Sequence, residues 1–195
     1  MLSAAWRKKQ RIIRHYNTLV DTYDTLYKEE QEQKIKHVLS HIQLQSSDLV
    51  LDAGCGTGLL FGYIYNQVSN LVGVDLSNGL LKVAMNRIKA YRMKSVSLIR
   101  ADIDNLPFKE HVFDKVFAFT LLHDFSTIKM TVQEVLRTSK NESTIVLTGL
   151  KKVFSKKRFI QALREEGLKF NIIPTPPSVK DYLALFSTSH KAKNK

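Results

Sequence analysis

The sequence predicts an α/β fold in which a mostly parallel sheet carries helices on both faces. Short apolar segments rich in β-branched residues alternate with amphipathic segments that are long enough for crossover helices. No linker rich in Pro or Gly divides the 195 residues, of which 44% are hydrophobic. These observations indicate a single domain with its own core, rather than two domains or a disordered chain.

Residues 1–40 are predicted to form a helical lid or entrance segment ahead of the sheet. Apolar and aromatic side chains recur there every three or four positions without an intervening Pro or Gly. A second stripe of the same kind runs through residues 35–42. We expect the main domain to occupy residues 41–188 and a basic, flexible tail to occupy residues 189–195. The first stripe comprises Ile13, Tyr16, Val20, Tyr23 and Tyr27.

The strands and helices of the main domain are predicted to alternate along the chain. The predicted helices are 59–68, 78–91, 126–138 and 155–167, and the predicted strands are 48–52, 71–75, 95–100, 113–119 and 143–148. Residues 169–173 and 182–186 are predicted to close the sheet as an antiparallel pair. Sheets of this kind bind ligands beyond the carboxyl ends of their strands, where the strand order reverses.

The distribution of charged residues along the chain indicates which kinds of partner the protein attracts. The formal net charge is +12, and residues 151–195 alone hold 11 basic and 3 acidic side chains. A second basic cluster lies at residues 7–14. Such clusters attract polyanions such as nucleic acid, although a solvated surface with a loose tail is the simpler interpretation.

Two further compositional observations concern the compartment. The single cysteine excludes an internal disulfide and a Cys-rich zinc site, and no metal site is predicted. No secretory signal follows the basic N-terminus, and no segment approaches the ~18 apolar residues of a membrane span. We therefore expect a cytoplasmic protein in a reducing compartment, with no membrane attachment.

The most specific motif is VLDAGCGTG at residues 50–58, where three glycines follow a predicted strand and precede a predicted helix. A dinucleotide fingerprint would place its third glycine at Leu59, and an anionic pyrophosphate would be repelled by Asp52, so a nicotinamide oxidoreductase is disfavoured. No Lys-Ser/Thr pair follows, which excludes a P-loop. The structural alternative to a ligand site is that the three glycines form an ordinary tight loop. A ligand with an ammonium group fits Asp52 better.

Two more acids end the next predicted strands. Asp75 is placed where an acid accepts hydrogen bonds from ribose hydroxyls, and Asp102, with Ile103 beside it, is placed to accept from an adenine amino group. For each acid taken alone there is a structural alternative, which is a helix-entrance residue for Asp75 and a turn residue for Asp102. Together with Asp52, they predict a ligand that carries an amine, a ribose and an adenine.

With these residues in place, the segment 50–125 resembles the class I S-adenosylmethionine-dependent methyltransferases, and within them the type 11 group. Weaker similarity extends to the Tyr-rich residues 16–27 and to residues 167–186. The resemblance implies a Rossmann-like sheet of seven strands whose last strand is antiparallel. The matching segments are LDAGCGTG (51–58), GVDLS (73–77), ADIDNLPF (101–108) and FDKVFAFTLLH (113–123).

The resemblance also implies S-adenosylmethionine as cofactor and assigns roles around it. The glycine loop would hold the methionine part, Asp75 the ribose, and Asp102 the adenine. Phe119 and Thr120 would border the methyl group, and Tyr23 would belong to a lid, although core packing explains the tyrosines as well. The implied cofactor-binding residues are Asp52, Ala53, Gly54, Cys55, Gly56, Gly58, Asp75, Leu76, Asp102, Ile103, Phe119 and Tyr23.

Catalytic residues are less well defined by the sequence. His123 is a candidate general base because its pKa lies near neutrality, with a structural loop histidine as the alternative; Asp124 is a weaker candidate. No Asn/Asp-Pro-Pro-aromatic tetrapeptide follows the fourth strand, which disfavours planar amines as acceptors. Cys55, the only thiol, lies inside the glycine loop, so methylation of a pyrimidine carbon through a covalent adduct is excluded.

The sequence leaves open which kind of molecule accepts the methyl group. The basic clusters favour an RNA nucleoside slightly over a small metabolite. A catalytically silent scaffold that binds the cofactor is the alternative of another class. The Tyr-rich N-terminal stretch resembles, in its general composition only, that of tRNA wobble-uridine methyltransferases. Those enzymes work with a small zinc-binding activator subunit, so the resemblance implies such a partner.

Overall fold

The computed structural model describes residues 4–122 and 128–188. The helices are α1 (Ala4–Thr18), α2 (Tyr23–Leu39), α3 (Phe61–Ile64), α4 (Asn78–Ala90), α5 (Ile128–Thr138) and α6 (Lys156–Glu165). The strands are β1 (Leu49–Ala53), β2 (Asn70–Asp75), β3 (Val96–Arg100), β4 (Phe113–Leu122), β5 (Ser139–Leu150), β6 (Asn171–Ile173) and β7 (Asp181–Ser187). The predicted tail, residues 189–195, lies outside the described residues. No described helix is long and apolar enough to cross a membrane.

The seven strands form one sheet in the order β3-β2-β1-β4-β5-β7-β6. Only β7 runs antiparallel to its neighbours, β5 and β6; every other pair is parallel. The predicted Rossmann-like sheet with an antiparallel last strand is confirmed. Because the order reverses between β1 and β4, the carboxyl ends of these strands and of β2 border one crevice.

The core consists of two layers, one on each face of the sheet. Alternate residues of β1 supply them, since Val50 packs with Phe61 of α3 on one face, and Leu51 packs with Val132 of α5 and Phe159 of α6 on the other. All five of these side chains are essentially inaccessible to solvent. α2 and α4 join α3 on its face, which gives the helices on both faces that the alternating pattern predicts.

The predicted helix 59–68 is much shorter in the structure. The N–H of Phe61 donates to the Gly58 carbonyl at 3.2 Å, and the N–H of Tyr63 donates to the Leu60 carbonyl at 3.0 Å. The Tyr63 carbonyl in turn accepts the Gln67 side-chain amide at 2.6 Å. These i→i−3 bonds and the side-chain competitor hold most of this segment in turns instead of an α-helix.

Two other boundaries also differ from prediction. The N-terminal segment breaks at residues 19–22, where Thr22 N–H donates to the Leu19 carbonyl at 3.0 Å. The fifth strand begins at Ser139, four residues before its predicted start, and passes through Glu142, whose φ is +66°. Its register against β4 shifts at this point, so the irregular residues belong to the sheet and not to a loop.

Candidate functional site

A cavity of about 270 Å³ lies beyond the carboxyl ends of β1, β2 and β4, under α1 and α2. The structure brings together most of the residues that the sequence predicts for the cofactor. Those that line the cavity are Asp52, Gly54, Cys55, Gly56, Asp75, Leu76, Asp102, Ile103, Phe119 and Tyr23.

Two of the predicted residues do not line this cavity. The Ala53 side chain is completely buried in the layer under α5 and α6, so it packs inside the core. Gly58 has a φ of +74°, and a Cβ atom there would overlap the ring of Phe61. Both residues therefore support the loop, and neither is among the residues that line the cavity.

The glycine loop is fixed to the second strand by two backbone hydrogen bonds. The N–H groups of Gly54 and Cys55 both donate to the Val74 carbonyl, at 2.7 and 2.9 Å. At Gly56 the nearest atom to an added Cβ is the Tyr23 hydroxyl, 4.0 Å away, so open space lies over the backbone. Burial raises the pKa of the Cys55 thiol well above its ordinary value, which keeps it protonated.

Asp52 lies at the floor of the cavity with 3% of its surface exposed. Burial, followed by the charge of Asp75, raises the pKa of its carboxyl to about 8. Within the described part of the chain, no donor meets this carboxylate. A cation that entered the cavity would therefore find an acidic group without a competing partner.

Asp75 links the glycine loop to the start of α4. Its Oδ2 accepts the Gly56 N–H at 3.0 Å, and its Oδ1 accepts the Ser77 N–H at 2.8 Å. Burial raises the pKa of the Asp75 carboxyl, and the backbone donors oppose that shift. Because each carboxylate oxygen has two lone pairs, the backbone donors do not use all of its acceptor positions, and hydroxyl groups in the cavity can donate to the rest.

Asp102 is engaged by a residue that the sequence did not single out. The Nζ of Lys9, on α1, donates to Asp102 Oδ1 at 2.8 Å and to Oδ2 at 2.7 Å, and it lies 2.5 Å from Asp104 Oδ2. Thr131 on α5 donates to the other oxygen of Asp104. Lys9 thus fastens the N-terminal helix across the end of the cavity that Asp102 and Ile103 border.

Thr120 stands at the other end, beside Phe119, in a left-handed backbone conformation with φ of +55°. Such a conformation is strained for a β-branched residue and is retained only when the surroundings fix it. The Thr120 N–H donates to Thr148 Oγ1 at 2.7 Å, and its Oγ1 accepts from Lys34 Nζ at 2.8 Å. Lys34 also pairs with Asp181 of β7.

The two N-terminal helices form the roof of the cavity. The rings of Tyr16 and Tyr23 meet edge to face, with centroids 5.9 Å apart, and both line the cavity. Burial, followed by the charge of Asp75, raises the pKa of Tyr16 to about 12. Burial also raises the pKa of Tyr23. Both phenols are therefore neutral at physiological pH.

The polar contacts of Asp24 hold α2 against the glycine loop. Its Oδ1 accepts from Thr57 Oγ1 at 2.7 Å, and its Oδ2 accepts from Arg87 Nη2 at 2.6 Å. Arg87 Nε also donates to the Thr57 carbonyl at 3.0 Å. The sequence alone does not indicate this network, because Asp24, Thr57 and Arg87 are far apart along the chain.

The candidate base His123, and Asp124 with it, lie outside the described residues. Within residues 4–122 and 128–188, no group of three or more His, Cys, Asp or Glu side chains forms a metal site. A second cavity, of about 750 Å³, adjoins the first and shares Thr120, Tyr16 and Tyr23 with it.

Comparison with known proteins decides the family. The model of a family described as "Methyltransferase domain" matches residues 51–147, which contain the glycine loop, Asp75 and Asp102. The chain belongs to the class I S-adenosylmethionine-dependent methyltransferases. The resemblance found in the sequence is confirmed, and S-adenosylmethionine is the cofactor of this family.

Relatives of this chain include characterised and uncharacterised proteins. It is 30% identical to the uncharacterized protein MJ1252 of Methanocaldococcus jannaschii over 73% of this chain and 53% of that protein. It is 31% identical to a tRNA (carboxymethyluridine(34)-5-O)-methyltransferase of Arabidopsis thaliana over 54% of this chain and 24% of that protein. The chain therefore spans about half the length of the first relative, and a smaller share of the second.

Solved methyltransferase structures share the fold at low identity. A phosphoethanolamine N-methyltransferase of Haemonchus contortus, in complex with phosphoethanolamine and S-adenosylhomocysteine, superposes with a TM-score of 0.80 at 14% identity over 100% of this chain and 51% of that one. A Haloferax volcanii methyltransferase bound to the Trm112 methyltransferase activator superposes with a TM-score of 0.72 at 17% identity. The match covers 90% of this chain and 98% of that one.

Proposed function

We propose that this chain transfers a methyl group from S-adenosylmethionine to an acceptor that enters beside Thr120. The observation that carries this proposal is the convergence of Asp52, Gly56 and Asp75 on one cavity. These groups offer a carboxyl that meets no donor among the described residues, an open backbone surface and remaining acceptor capacity at Asp75. An amino acid joined to a nucleoside requires these three features.

The residues of the chain act mainly by positioning. Asp52 would bind the ammonium group, and Asp75 would accept from the ribose hydroxyls while it keeps the glycine loop in place. The bound cofactor supplies an electrophilic methyl group on a sulfonium centre. Phe119 and the Tyr16–Tyr23 pair would exclude water from that centre, and the ring faces favour positive charge.

The acceptor in this proposal is an RNA nucleoside. The support is the excess of basic side chains in residues 7–14 and 151–195, and the relative that acts on tRNA. A small-molecule acceptor is the second candidate, and it is favoured by the fold shared with the phosphoethanolamine N-methyltransferase.

A small activator subunit is proposed as partner. Its support is the fold shared with the Haloferax volcanii methyltransferase that binds the Trm112 activator. Co-expression with such a protein and size-exclusion chromatography test the partnership, and a complex of one copy of each is the expected result. Separate elution of the two proteins at micromolar concentration would contradict it.

Calorimetric titration with S-adenosylmethionine tests the cofactor site. Asp75→Ala is expected to weaken binding by about tenfold or more, because it removes hydrogen bonds to hydroxyls and the support of Gly56. Asp21→Ala, which removes an exposed acid outside the cavity, is the matched control and is expected to bind like the wild type. Equal affinities for all three proteins would contradict the assignment of Asp75.

Methyl transfer itself is tested with methyl-labelled cofactor, total cellular RNA and a metabolite extract in separate incubations. Label in the RNA fraction supports the proposed acceptor, and label in the metabolite fraction supports the second candidate. A protein that binds the cofactor but labels neither fraction, with or without the activator, would favour the silent scaffold.

A further inference from the structure

The second cavity has the features of a nucleotide site. We propose that it binds the acceptor as a nucleotide, with the planar base against a tyrosine wall and the phosphate against Arg11, Lys152 and Lys180. This inference rests on the proposed methyl transfer and adds the chemistry of the acceptor to it. The cavity has a volume of about 750 Å³ and is called the acceptor cavity below.

The acceptor cavity adjoins the cofactor cavity, because five residues line both of them. Thr120 stands at the junction, and Phe119, its neighbour in the chain, lines the cofactor side. A group that reaches Thr120 from the acceptor cavity therefore contacts a residue that also lines the cofactor cavity. The residues common to both cavities are Ile12, Tyr16, Tyr23, Gln31 and Thr120.

Three tyrosines make one wall of the acceptor cavity. The ring centroids of Tyr16 and Tyr23 are 5.9 Å apart, and those of Tyr23 and Tyr27 are 5.1 Å apart. Tyr27 lines the acceptor cavity and not the cofactor cavity. Nucleobases present flat π-faces that stack on such side chains, and a wall of this kind accepts any of the four bases.

Three cations around this cavity meet no acidic partner among residues 4–122 and 128–188. The side chains of Arg11, Lys152 and Lys180 are exposed and form no ion pair within the described part of the chain. They come from α1, from the segment after β5 and from the turn before β7. These three positive charges therefore border one cavity, and a phosphate is the type of group that Arg and Lys side chains bind there.

Lys151 and Glu30, which also line the cavity, already have partners within the protein. Lys151 donates to the Val179 carbonyl at 2.7 Å. Glu30, the one carboxylate among the described lining residues, lies 3.4 Å from Lys34 Nζ and accepts the Lys180 N–H at 3.1 Å. The unsatisfied charge in the acceptor cavity is therefore positive, and it selects an anionic ligand.

Binding of nucleoside 5′-monophosphates tests the inference, with the corresponding nucleosides and a ten-nucleotide single-stranded RNA of mixed sequence as comparison ligands. The monophosphates are expected to bind about tenfold or more tightly than the nucleosides, because a phosphate adds charge-assisted contacts. The triple variant Arg11→Gln, Lys152→Gln, Lys180→Gln is expected to lose this preference.

A matched variant separates local binding from net charge. Arg164→Gln, Lys82→Gln, Lys94→Gln removes the same charge from exposed positions outside the cavity, and it is expected to keep the preference for monophosphates. If the RNA binds more tightly than a monophosphate and with a steeper salt dependence, the nucleotide is part of a strand; equal affinities identify a free nucleotide.

Three results would overturn the inference: equal binding of nucleosides and monophosphates, no binding of either, or an equal loss in both triple variants. The proposed function fails separately, because its own measurement is calorimetry with S-adenosylmethionine. None of the substituted residues lines the cofactor cavity, so both triple variants are expected to bind the cofactor like the wild type.

Discussion

Lys34 of α2 and Asp181 of β7 form an ion pair in which neither side chain has any exposed surface. The Lys34 amine also donates to Thr120 Oγ1 at 2.8 Å, at the junction of the two cavities. A buried charge is tolerated only when it is paired, so this contact joins the N-terminal helices to the sheet where the chemistry is proposed.

Removal of one partner of this pair is expected to destabilise the protein strongly. Lys34→Met leaves Asp181 buried without its cation, at a cost of about 3–5 kcal/mol in the free energy of unfolding. Lys28→Met, on an exposed part of the same helix, is the control and should change it by less than about 0.5 kcal/mol. Urea denaturation measures both.

A double variant makes this prediction more specific. Lys34→Met with Asp181→Leu removes both charges and is expected to recover most of the lost stability, because no unpaired group remains. A double variant as unstable as Lys34→Met alone would show that packing at these positions, and not charge, sets the stability.

Cofactor affinity is expected to rise with pH up to about 8. The free Asp52 carboxyl, whose pKa is raised to about 8, is protonated at lower pH, and it must lose its proton to attract an ammonium group. At most the dissociation constant would fall by about tenfold per pH unit over this range. Calorimetry at several pH values, in buffers of different ionisation enthalpy, measures the affinity and the proton released.

Asp52→Asn provides the control for this pH dependence. The amide has nearly the same shape but does not titrate, so its affinity is expected to be low and constant between pH 6 and 8. An unchanged pH profile in this variant would assign the titration to another group.

Two alanine substitutions around the start of α3 are expected to change the stability of the protein in opposite directions. Gly58→Ala should cost about 2 kcal/mol or more, because the residue has a φ of +74° and its Cβ would overlap the ring of Phe61. Gly62→Ala meets no atom within 4 Å and should stabilise the protein by roughly 0.5 kcal/mol. Thermal denaturation distinguishes them, and equal effects would contradict the packing described for Phe61.

Lys9→Met is expected to loosen α1 without unfolding the sheet. The substitution removes the partly buried contacts to Asp102 and Asp104, so amide hydrogens of α1 should exchange about fivefold faster. Arg7→Met, an exposed change on the same helix, should leave the exchange unaltered. Equal exchange in all three proteins would show that other contacts hold α1.

The parts of the fold that follow local rules were predictable from the sequence. Alternation of apolar segments predicted the sheet, and the glycine run at 50–58 predicted the loop because backbone that approaches a ligand needs glycine. Asp52 and Asp75 were found because strand ends of a parallel sheet meet at one edge.

The parts that depend on distant contacts were not predictable. Lys34 and Glu30 are four residues apart on a helix and have the pattern of a solvated pair, yet Lys34 is buried because Asp181 lies 147 positions along the chain. Lys9 was assigned only to a basic cluster, since nothing near it in the sequence indicates Asp102. The truncated helix at 61–64 depends on the side-chain contact of Gln67, which periodicity does not detect.

α1 contributes Ile12 and Tyr16 to the walls of both cavities. Movement of this single helix therefore changes the exit of two ligands at once. If the two cavities hold the ligands proposed for them, release of the spent cofactor and release of the modified acceptor depend on the same helix, and a restraint on α1 would slow both.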